Sequence, residues 1–348
     1  MKINTTPSSQ GTTGIVSRIK ELIHMGNNTY DSVPLRPFRS MVEKEVMDHV
    51  RSWKFMILLA LIFLTCFGSL YGSLSGYKKI ADAATGENDF FFLNLFTQSN
   101  GTIPPFFVFV GFLGPLLGIG LGFDSINSEH SHGTLSRILA QPIPRDFILN
   151  AKFVAGIVVI GIMFFTLSFL VMGAGLVALG IPPTVEEFLR IIIFTLLSIL
   201  YVSFWLNLSI LLSVKFRQAA TSALSGIAVW LFFTVFYPLL VNILLKGIQP
   251  SQYASPRAIF LFEKLKFGLN QIIPNELFNG ITSTLLMPTV RSIGPLTMEQ
   301  VEGAIPGPLP LGQSLVIVWP QLTGLIALTL LCFIFSYLLF MRREIRSR

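Results

Sequence analysis

Charged residues are scarce in this chain of 348 residues. Only 12% of its positions are Asp, Glu, Lys or Arg, about half of the roughly 25% found in ordinary soluble domains. A soluble protein needs a polar surface whatever the size of its core, so this shortage excludes a soluble globular fold. Hydrophobic residues make up 52% of the chain, and the mean hydropathy is +0.68. They gather in long runs with almost no charge, as is typical of helices that cross a bilayer.

Six of these apolar runs are long enough to span a membrane. Lipid offers no hydrogen-bond partners to the backbone, so each run is predicted to be a helix. The chain is therefore predicted to be an all-α polytopic membrane protein. Arg190 in the fourth run and Lys54 at the edge of the first are the only charged residues in these runs. The runs cover about residues 54–72, 104–123, 153–179, 188–214, 219–245 and 315–341.

The shortage of ionisable side chains within the runs bears on function. Secondary transporters driven by an ion gradient usually place Asp, Glu, His or Arg deep in the membrane, and many contain inverted repeats. Neither feature is evident in this sequence. A membrane-embedded enzyme would need a cluster of catalytic carboxylates, histidines or metal ligands near the bilayer, and none is present. The chain is therefore predicted not to be an enzyme, and an ion-gradient-driven secondary transporter is the alternative to the function inferred below.

Cysteine and histidine do not indicate a metal site. Both cysteines, Cys66 and Cys332, lie within predicted spans without a partner at metal-ligand spacing, so they are interpreted as packing residues. His130 and His132 are two residues apart, which on a helix points their side chains in nearly opposite directions. No metal is therefore expected in this chain.

The basic residues predict the orientation of the chain. Six spans put both termini on one side, and that side holds 17 of the 25 Lys and Arg residues. Because cytoplasmic loops carry an excess of Lys and Arg, both termini are predicted to be cytoplasmic. This topology explains the formal net charge of +7, and no nucleic-acid partner is expected.

Several segments outside the spans have recognisable patterns. Residues 37–53 carry apolar side chains at spacings of three and four and lead directly into the first span, which predicts an amphipathic elbow helix along the inner leaflet. The long segment before span six contains two helix candidates, 257–271 and 275–286, expected to be interfacial or re-entrant at the outer surface. Residues 1–36 are predicted to be a polar cytoplasmic tail, and residues 37–345 the transmembrane domain.

The segment between spans two and three carries most of the functional signal. Gly133 permits a backbone turn that is closed to other residues, and Thr134 is placed to cap a short helix, 135–140. Pro142 terminates that helix, and the next helix runs through Lys152 into span three. The pattern predicts a short cytoplasmic helix held by two spans, which can transmit a push from a soluble partner.

This stretch resembles the coupling region of permease subunits in type-2 ATP-binding-cassette exporters, the ABC-2 family. The family pattern is a Glu, polar residues, Gly-Thr-Leu, a Pro-x-x-Arg element and a Lys before the next span. The sequence departs from it at residues 130–132, where relatives commonly have charged residues. The matching residues, which the resemblance implies couple the chain to an ATPase, are Glu129, Gly133, Thr134, Leu135, Pro142, Arg145 and Lys152.

The resemblance implies a division of labour between subunits. The chain would be the non-catalytic permease of an ATP-driven exporter in a prokaryotic cell membrane. A separate ATP-binding subunit would bind ATP and Mg²⁺ and receive the coupling helix. The sequence itself has no G-x-x-x-x-G-K-[ST] loop to hold phosphates, so no cofactor is expected in this chain. A second permease chain, identical or different, is expected to complete the transporter.

Small and polar residues within the spans give two further predictions. Gly114, Gly118 and Gly122 repeat every four residues along span two, which favours close helix packing, within the chain or in a dimer. A transport pathway at the interface between two permeases is predicted to be lined by polar side chains of span four, namely Ser203, Asn207, Ser209 and Ser213.

Overall fold

The chain folds as a bundle of helices. The computed structural model describes residues 35–81, 90–99, 101–131, 133, 143–180, 182–251, 254–296 and 307–342. Within these ranges every regular element is helical, which confirms the predicted all-α class. Residues 1–34 of the predicted tail and the predicted coupling helix 135–140 lie outside the described residues.

Six helices are long and apolar enough to cross a membrane, which confirms the six predicted spans. Spans one to four are α2 (Trp53–Ala81), α4 (Phe106–Gly122), α6 (Arg145–Leu179) and α7 (Val185–Lys215). Span five joins α8 (Ala219–Leu231), a π-helical turn (Phe232–Phe236) and α9 (Tyr237–Lys246), and span six is α12 (Leu311–Arg342). The other helices are α1 (Leu35–Arg51), α3 (Phe91–Thr97), α5 (Asn127–Ser131), α10 (Pro256–Asn270) and α11 (Pro274–Leu286).

Two spans differ from a uniform apolar helix. The helix of span three begins at Arg145, after Pro144, and runs through Lys152 into the apolar run that starts at 153, as predicted. Span five is interrupted by its π-helical turn. An apolar run shows where a helix meets lipid, but it does not show where the hydrogen bonding of that helix changes from α-helical to π-helical.

Span four is the most buried of the six spans. A capping box fixes its start, since Thr184 Oγ1 accepts a hydrogen bond from the Glu187 amide at 3.3 Å while Glu187 Oε2 accepts one from the Thr184 amide at 2.8 Å. Tyr201 and Trp205, near its middle, are both 0% exposed. Spans two, three, five and six pack against this central helix, whereas span one packs against spans two and three.

The glycine stripe of span two lets span four approach closely. A Cβ atom added to Gly118 would lie 2.7 Å from the Val202 carbonyl oxygen and 2.8 Å from the Leu206 amide nitrogen. A Cβ atom added to Gly114 would lie 2.8 Å from Val202 Cγ2, and one added to Gly122 would lie 2.8 Å from the Leu206 carbonyl oxygen. The structure therefore places all three glycines against span four of the same chain.

The bundle has two ends with different partners. At one end, named here the elbow face, α1 lies against the start of span three, where the rings of Phe38 and Phe147 meet edge to face at 5.3 Å. The Ser52 carbonyl, between α1 and span one, accepts a hydrogen bond from the Met56 amide at 3.1 Å. Span one thus follows α1 after a break of a single residue.

At the opposite end, named the far face, a buried arginine joins three helices. Arg190 of span four is 0% exposed. Its guanidinium donates to Glu186 Oε1 at 2.9 Å, to the Leu285 carbonyl of α11 at 2.8 Å and to Ser314 Oγ of span six at 3.2 Å. The predicted outer segment 275–286 is thereby held as α11 between spans four and six.

The close contact between spans two and four generates a stability prediction. Gly118→Ala forces a methyl group against the backbone of span four, and overpacking of this kind is expected to lower the free energy of unfolding by about 2 kcal/mol. The matched control is Gly68→Ala in span one, where an added Cβ meets nothing within 4 Å. Thermal unfolding of the purified protein in detergent measures both, and equal melting temperatures would contradict the packing described.

Candidate functional site

A buried lysine connects three elements at the elbow face. Lys152, near the start of span three, is 4% exposed. Its Nζ atom lies 2.9 Å from Glu45 Oε2 of α1 and 2.8 Å from Glu129 Oε1 of α5. The ammonium group therefore ties the elbow helix, the end of the span-two segment and span three together.

The two carboxylates make this burial possible. A buried ammonium loses its hydration, and opposite charges with good geometry must offset that cost. Burial alone would raise the pKa of Glu45, but the charge and hydrogen bond of Lys152 outweigh it and hold the pKa of Glu45 below its usual range. Removing Lys152 would leave two carboxylates without their cation, whereas removing Glu45 leaves Lys152 paired with Glu129 alone.

A second ion pair lies beside the first. Lys54, at the start of span one, pairs with Asp124, which follows span two. The same ammonium group lies 4.6 Å from the centre of the Phe123 ring. We define the elbow site as these two ion-pair groups, Glu45, Lys54, Asp124, Glu129 and Lys152.

The turn that carries Asp124 is fixed by span four. Ser213 Oγ, near the end of span four, accepts hydrogen bonds from the amides of Ile126 at 3.0 Å and Asn127 at 3.3 Å. Ser128 Oγ donates back to the Asp124 carbonyl at 2.7 Å. These bonds hold the start of α5 in position, and α5 in turn presents Glu129 to Lys152.

The elbow site encloses a polar cavity of about 390 Å³. His49 of α1 is part of its wall. Burial lowers the pKa of His49 below its usual range, more than the nearby Glu45 carboxylate raises it. No group of side chains suited to hold a metal ion occurs among the described residues. The cavity is lined by Lys44, Glu45, Asp48, His49, Ser52, Lys54, Gly120, Asp124, Ser125, Ser128, Glu129 and Lys152.

The structure brings together some of the predicted coupling residues. Glu129 and Lys152 form an ion pair at 2.8 Å. Gly133 has a φ of +67°, in the left-handed region that favours glycine. Arg145 is exposed and is the first residue of span three. Thr134, Leu135 and Pro142 lie outside the described residues, and their coupling role stays a prediction.

The predicted pathway residues of span four have contacts within the chain. All four are buried within one chain, with exposures between 0% and 4%. Asn207 Nδ2 donates to the Thr329 carbonyl of span six at 3.0 Å, and Ser209 Oγ donates to the Ile119 carbonyl of span two at 3.0 Å. Asn207, Ser209 and Ser213 thus bond to neighbouring segments of the same chain, and a pathway lined by the four residues stays a prediction.

Sequence reasoning missed Glu45 and Lys54 as members of the elbow site. One signal for Glu45 was available, because it falls on the otherwise apolar face of α1, four residues after Met41 and next to Val46. A carboxylate on the inward face of an amphipathic helix indicates a buried cation as partner. Its partner is 107 positions away in the chain, and no local pattern identifies it.

A family described as "ABC-2 family transporter protein" matches residues 39–345. The match takes in most of α1, all six spans and the whole elbow site. The chain belongs to the ABC-2 transporter family. It is accordingly a membrane subunit of an ABC transporter, and membership implies an ATP-binding partner subunit.

Two relatives agree with this family. The chain is 26% identical over 216 residues to the "Probable ABC transporter permease protein NosY" of Stutzerimonas stutzeri, covering 59% of this chain and 70% of that protein. It is 25% identical over 225 residues to the protein of the same name from Pseudomonas aeruginosa, covering 63% of this chain and 74% of that protein.

The buried ion pair predicts unequal effects of two neighbouring glutamates in this ABC-2 subunit. Glu45→Gln removes a charged partner of Lys152 and is expected to lower the free energy of unfolding by about 2 kcal/mol. Glu43→Gln is the control, because Glu43 pairs with Arg39 on the exposed face of α1 and such pairs contribute under about 1 kcal/mol. Denaturant unfolding in detergent compares them, and equal losses would argue against the Lys152 contact.

The lowered pKa of His49 predicts a loss of stability in mild acid. A histidine whose pKa is lower in the folded state contributes stability above its unfolded-state pKa, and this contribution is lost as the pH falls. The melting temperature is therefore expected to fall between about pH 7 and about pH 5. His49→Gln should reduce this dependence, and a variant that follows the wild-type pH profile would contradict it.

Proposed function

We propose that this chain is the permease subunit of an ATP-driven exporter, with its elbow face in the cytoplasm. Its ABC-2 membership and the excess of basic residues on the side of the termini support this assignment. ATP hydrolysis is carried out by the separate ATP-binding subunit, since the sequence lacks the phosphate-binding loop that such chemistry needs. That subunit contacts the segment between Glu129 and Lys152.

The observation that carries the proposal is the geometry of Lys152. Glu129 and Lys152 stand at the two ends of the segment that contains the coupling pattern, and their 2.8 Å ion pair closes the segment into a loop. A force applied to this loop reaches the ends of spans two and three together. Because Lys152 also binds Glu45, the elbow helix receives the same displacement.

The Lys54–Asp124 pair extends this connection to span one. Asp124 lies between span two and α5, while Lys54 is the second residue of span one. Movement of the loop is thereby shared among three spans through two ion pairs. In such a mechanism the permease responds to nucleotide binding by a small rigid displacement of packed helices, a common form of switching transition.

A second permease chain completes the transporter in this proposal. Span five is the least buried of the six spans, and its exposed residues are mainly apolar, including Leu224, Ile227 and Val235. A large uncovered apolar face suits contact with another membrane helix or with lipid. We place the second permease against this span.

Ion-gradient coupling is less well supported. Arg190, the charged residue within the predicted fourth apolar run, has its guanidinium bound to a carboxylate, two carbonyls and a hydroxyl group at the far face. An arginine held by this many bonds is a structural anchor. It offers no site where a transported ion would bind and leave.

The coupling proposal predicts that Glu129→Ala and Gly133→Val reduce the ATPase activity of the assembled transporter. Alanine breaks the ion pair that closes the loop, and valine disfavours the left-handed backbone of Gly133. A reduction of about tenfold corresponds to about 1.4 kcal/mol of activation free energy. The measurement uses tagged full-length chain purified from its native membranes and reconstituted with the ATP-binding subunit that co-purifies.

The control is Lys264→Met, which removes an exposed charge from α10 on the far face. It is expected to leave the ATPase activity at the wild-type level. Each variant is first checked for membrane insertion and a single gel-filtration peak, so that loss of folding is separated from loss of coupling. Wild-type activity in both loop variants would refute the coupling role, and the absence of any ATP-binding subunit in the purified complex would refute the whole proposal.

A further inference from the structure

A second cavity lies toward the far face and shares no lining residue with the elbow cavity. Its volume is about 670 Å³. Its walls come from the first half of span two, the π-helical turn of span five, α10, α11 and the segment that follows α11. The lining residues are Phe107, Val108, Gly111, Phe112, Thr234, Phe267, Asn270, Gln271, Asn275, Glu276, Asn279, Gly280, Ser283, Val290, Ser292 and Ile293.

A buried chain of hydrogen bonds holds these walls in place. Tyr201 of span four donates from its hydroxyl group to the Gly111 carbonyl at 2.9 Å and also bonds Asn275 Oδ1. Asn275 Nδ2 donates in turn to Thr234 Oγ1 at 2.8 Å. These hydrogen bonds connect spans two, four and five and α11 beside the cavity.

The π-helical turn is placed at this cavity. Thr234 is the middle residue of the turn Phe232–Phe236 and lies in the cavity wall. π-Helical turns interrupt regular hydrogen bonding and occur frequently at functional sites. The π-helical turn of span five therefore lies where the Thr234 side chain is hydrogen-bonded to Asn275 of α11.

The charge of the cavity has one sign. Glu276 is its only ionisable lining residue, and its carboxylate has neither an ion pair nor a side-chain hydrogen bond within the described part of the chain. Glu276 is an exposed residue of the cavity wall, and the partial burial of its carboxyl group raises its pKa. An anionic occupant would be repelled here, whereas a cation would supply the missing partner.

The remaining lining groups define the shape of the occupant. Phe107, Phe112 and Phe267 present apolar surface and aromatic rings, which attract cations as well as apolar groups. Amides and hydroxyl groups occupy other parts of the wall, and the Oδ1 atom of Asn270 makes no hydrogen bond with the described residues. The cavity therefore combines one negative charge with aromatic and hydrogen-bonding surfaces.

Helix capping explains only part of this arrangement. Glu276 lies in the first turn of α11, where a negative charge is favoured by the helix dipole. That effect accounts for an acidic residue at this position. It does not account for the cavity, its aromatic wall or the hydrogen bonds that link Tyr201, Asn275 and Thr234 beside it.

We propose that this cavity, named the Glu276 cavity, binds an organic cation with an apolar body. The carboxylate of Glu276 pairs with the positive charge, and the three phenylalanine rings contact the apolar groups. The inference deepens the proposed export function by naming the chemical class of the cargo. Binding of the cation does not depend on the proposed export function, whereas its transport rests on that function.

The test measures equilibrium binding of two probes that match in shape and differ in the sign of charge. These are tetraphenylphosphonium, a cation, and tetraphenylborate, an anion. Equilibrium dialysis is carried out without nucleotide on the purified complex in detergent. The wild type is expected to bind the cation more tightly than the anion, and Glu276→Gln is expected to weaken cation binding about tenfold, which corresponds to about 1.4 kcal/mol.

Glu263→Gln is the matched control, because Glu263 is an exposed carboxylate of α10 outside the cavity wall. It should bind the cation as the wild type does. Equal binding of both probes, wild-type affinity in Glu276→Gln, or no cation binding by the wild type would each overturn the proposal. Since these measurements need no ATP hydrolysis, they can fail while the loop variants still lose ATPase activity, and the two proposals are tested separately.

Discussion

The structure depends on the close approach of spans two and four. In a bilayer, apolar side chains gain little free energy when they exchange contacts with lipid for contacts with another helix. Membrane helices therefore associate through tight packing and buried hydrogen bonds. Three glycines let span two approach the backbone of span four, and the hydroxyl groups of Ser209 and Ser213 bond to the span-two segment along the same line. The two spans therefore form one rigid pair, on which the other helices and both cavities are assembled.

Two buried cations attach the peripheral helices to this core, and their chemistry differs. Arg190 has a planar group with five N–H donors in a fixed arrangement, and it fixes α11 and span six at the far face. Lys152 carries a compact charge on a flexible stem, which tolerates changes in the direction of its partners. The elbow helix can thus shift while Glu45 and Glu129 remain bound to Lys152, whereas the far-face anchor resists such movement. The difference suits a coupling region at one end and a rigid support at the other.

The spans and the elbow helix could be predicted because their signals are local. A charge-poor run of the right length is sufficient for a span, and spacings of three and four are sufficient for α1. The π-helical turn of span five could not be predicted, because Phe232–Phe236 is as apolar as its surroundings. The partners of Lys152 and the walls of the Glu276 cavity depend on residues far apart in the chain, such as Gly111, Thr234 and Glu276. Only the tertiary arrangement brings these together.

Span two connects the two cavities directly. Gly120 near its end belongs to the elbow cavity, while Phe107 and Phe112 near its start belong to the Glu276 cavity. Because span two packs closely against the backbone of span four, we expect a displacement at the elbow site to move the two spans together. The π-helical turn of span five is joined to this pair by the hydrogen bonds of Asn275 to Thr234 and to Tyr201. We therefore expect changes at the elbow face to reach the Glu276 cavity through span two, which contributes to both cavities.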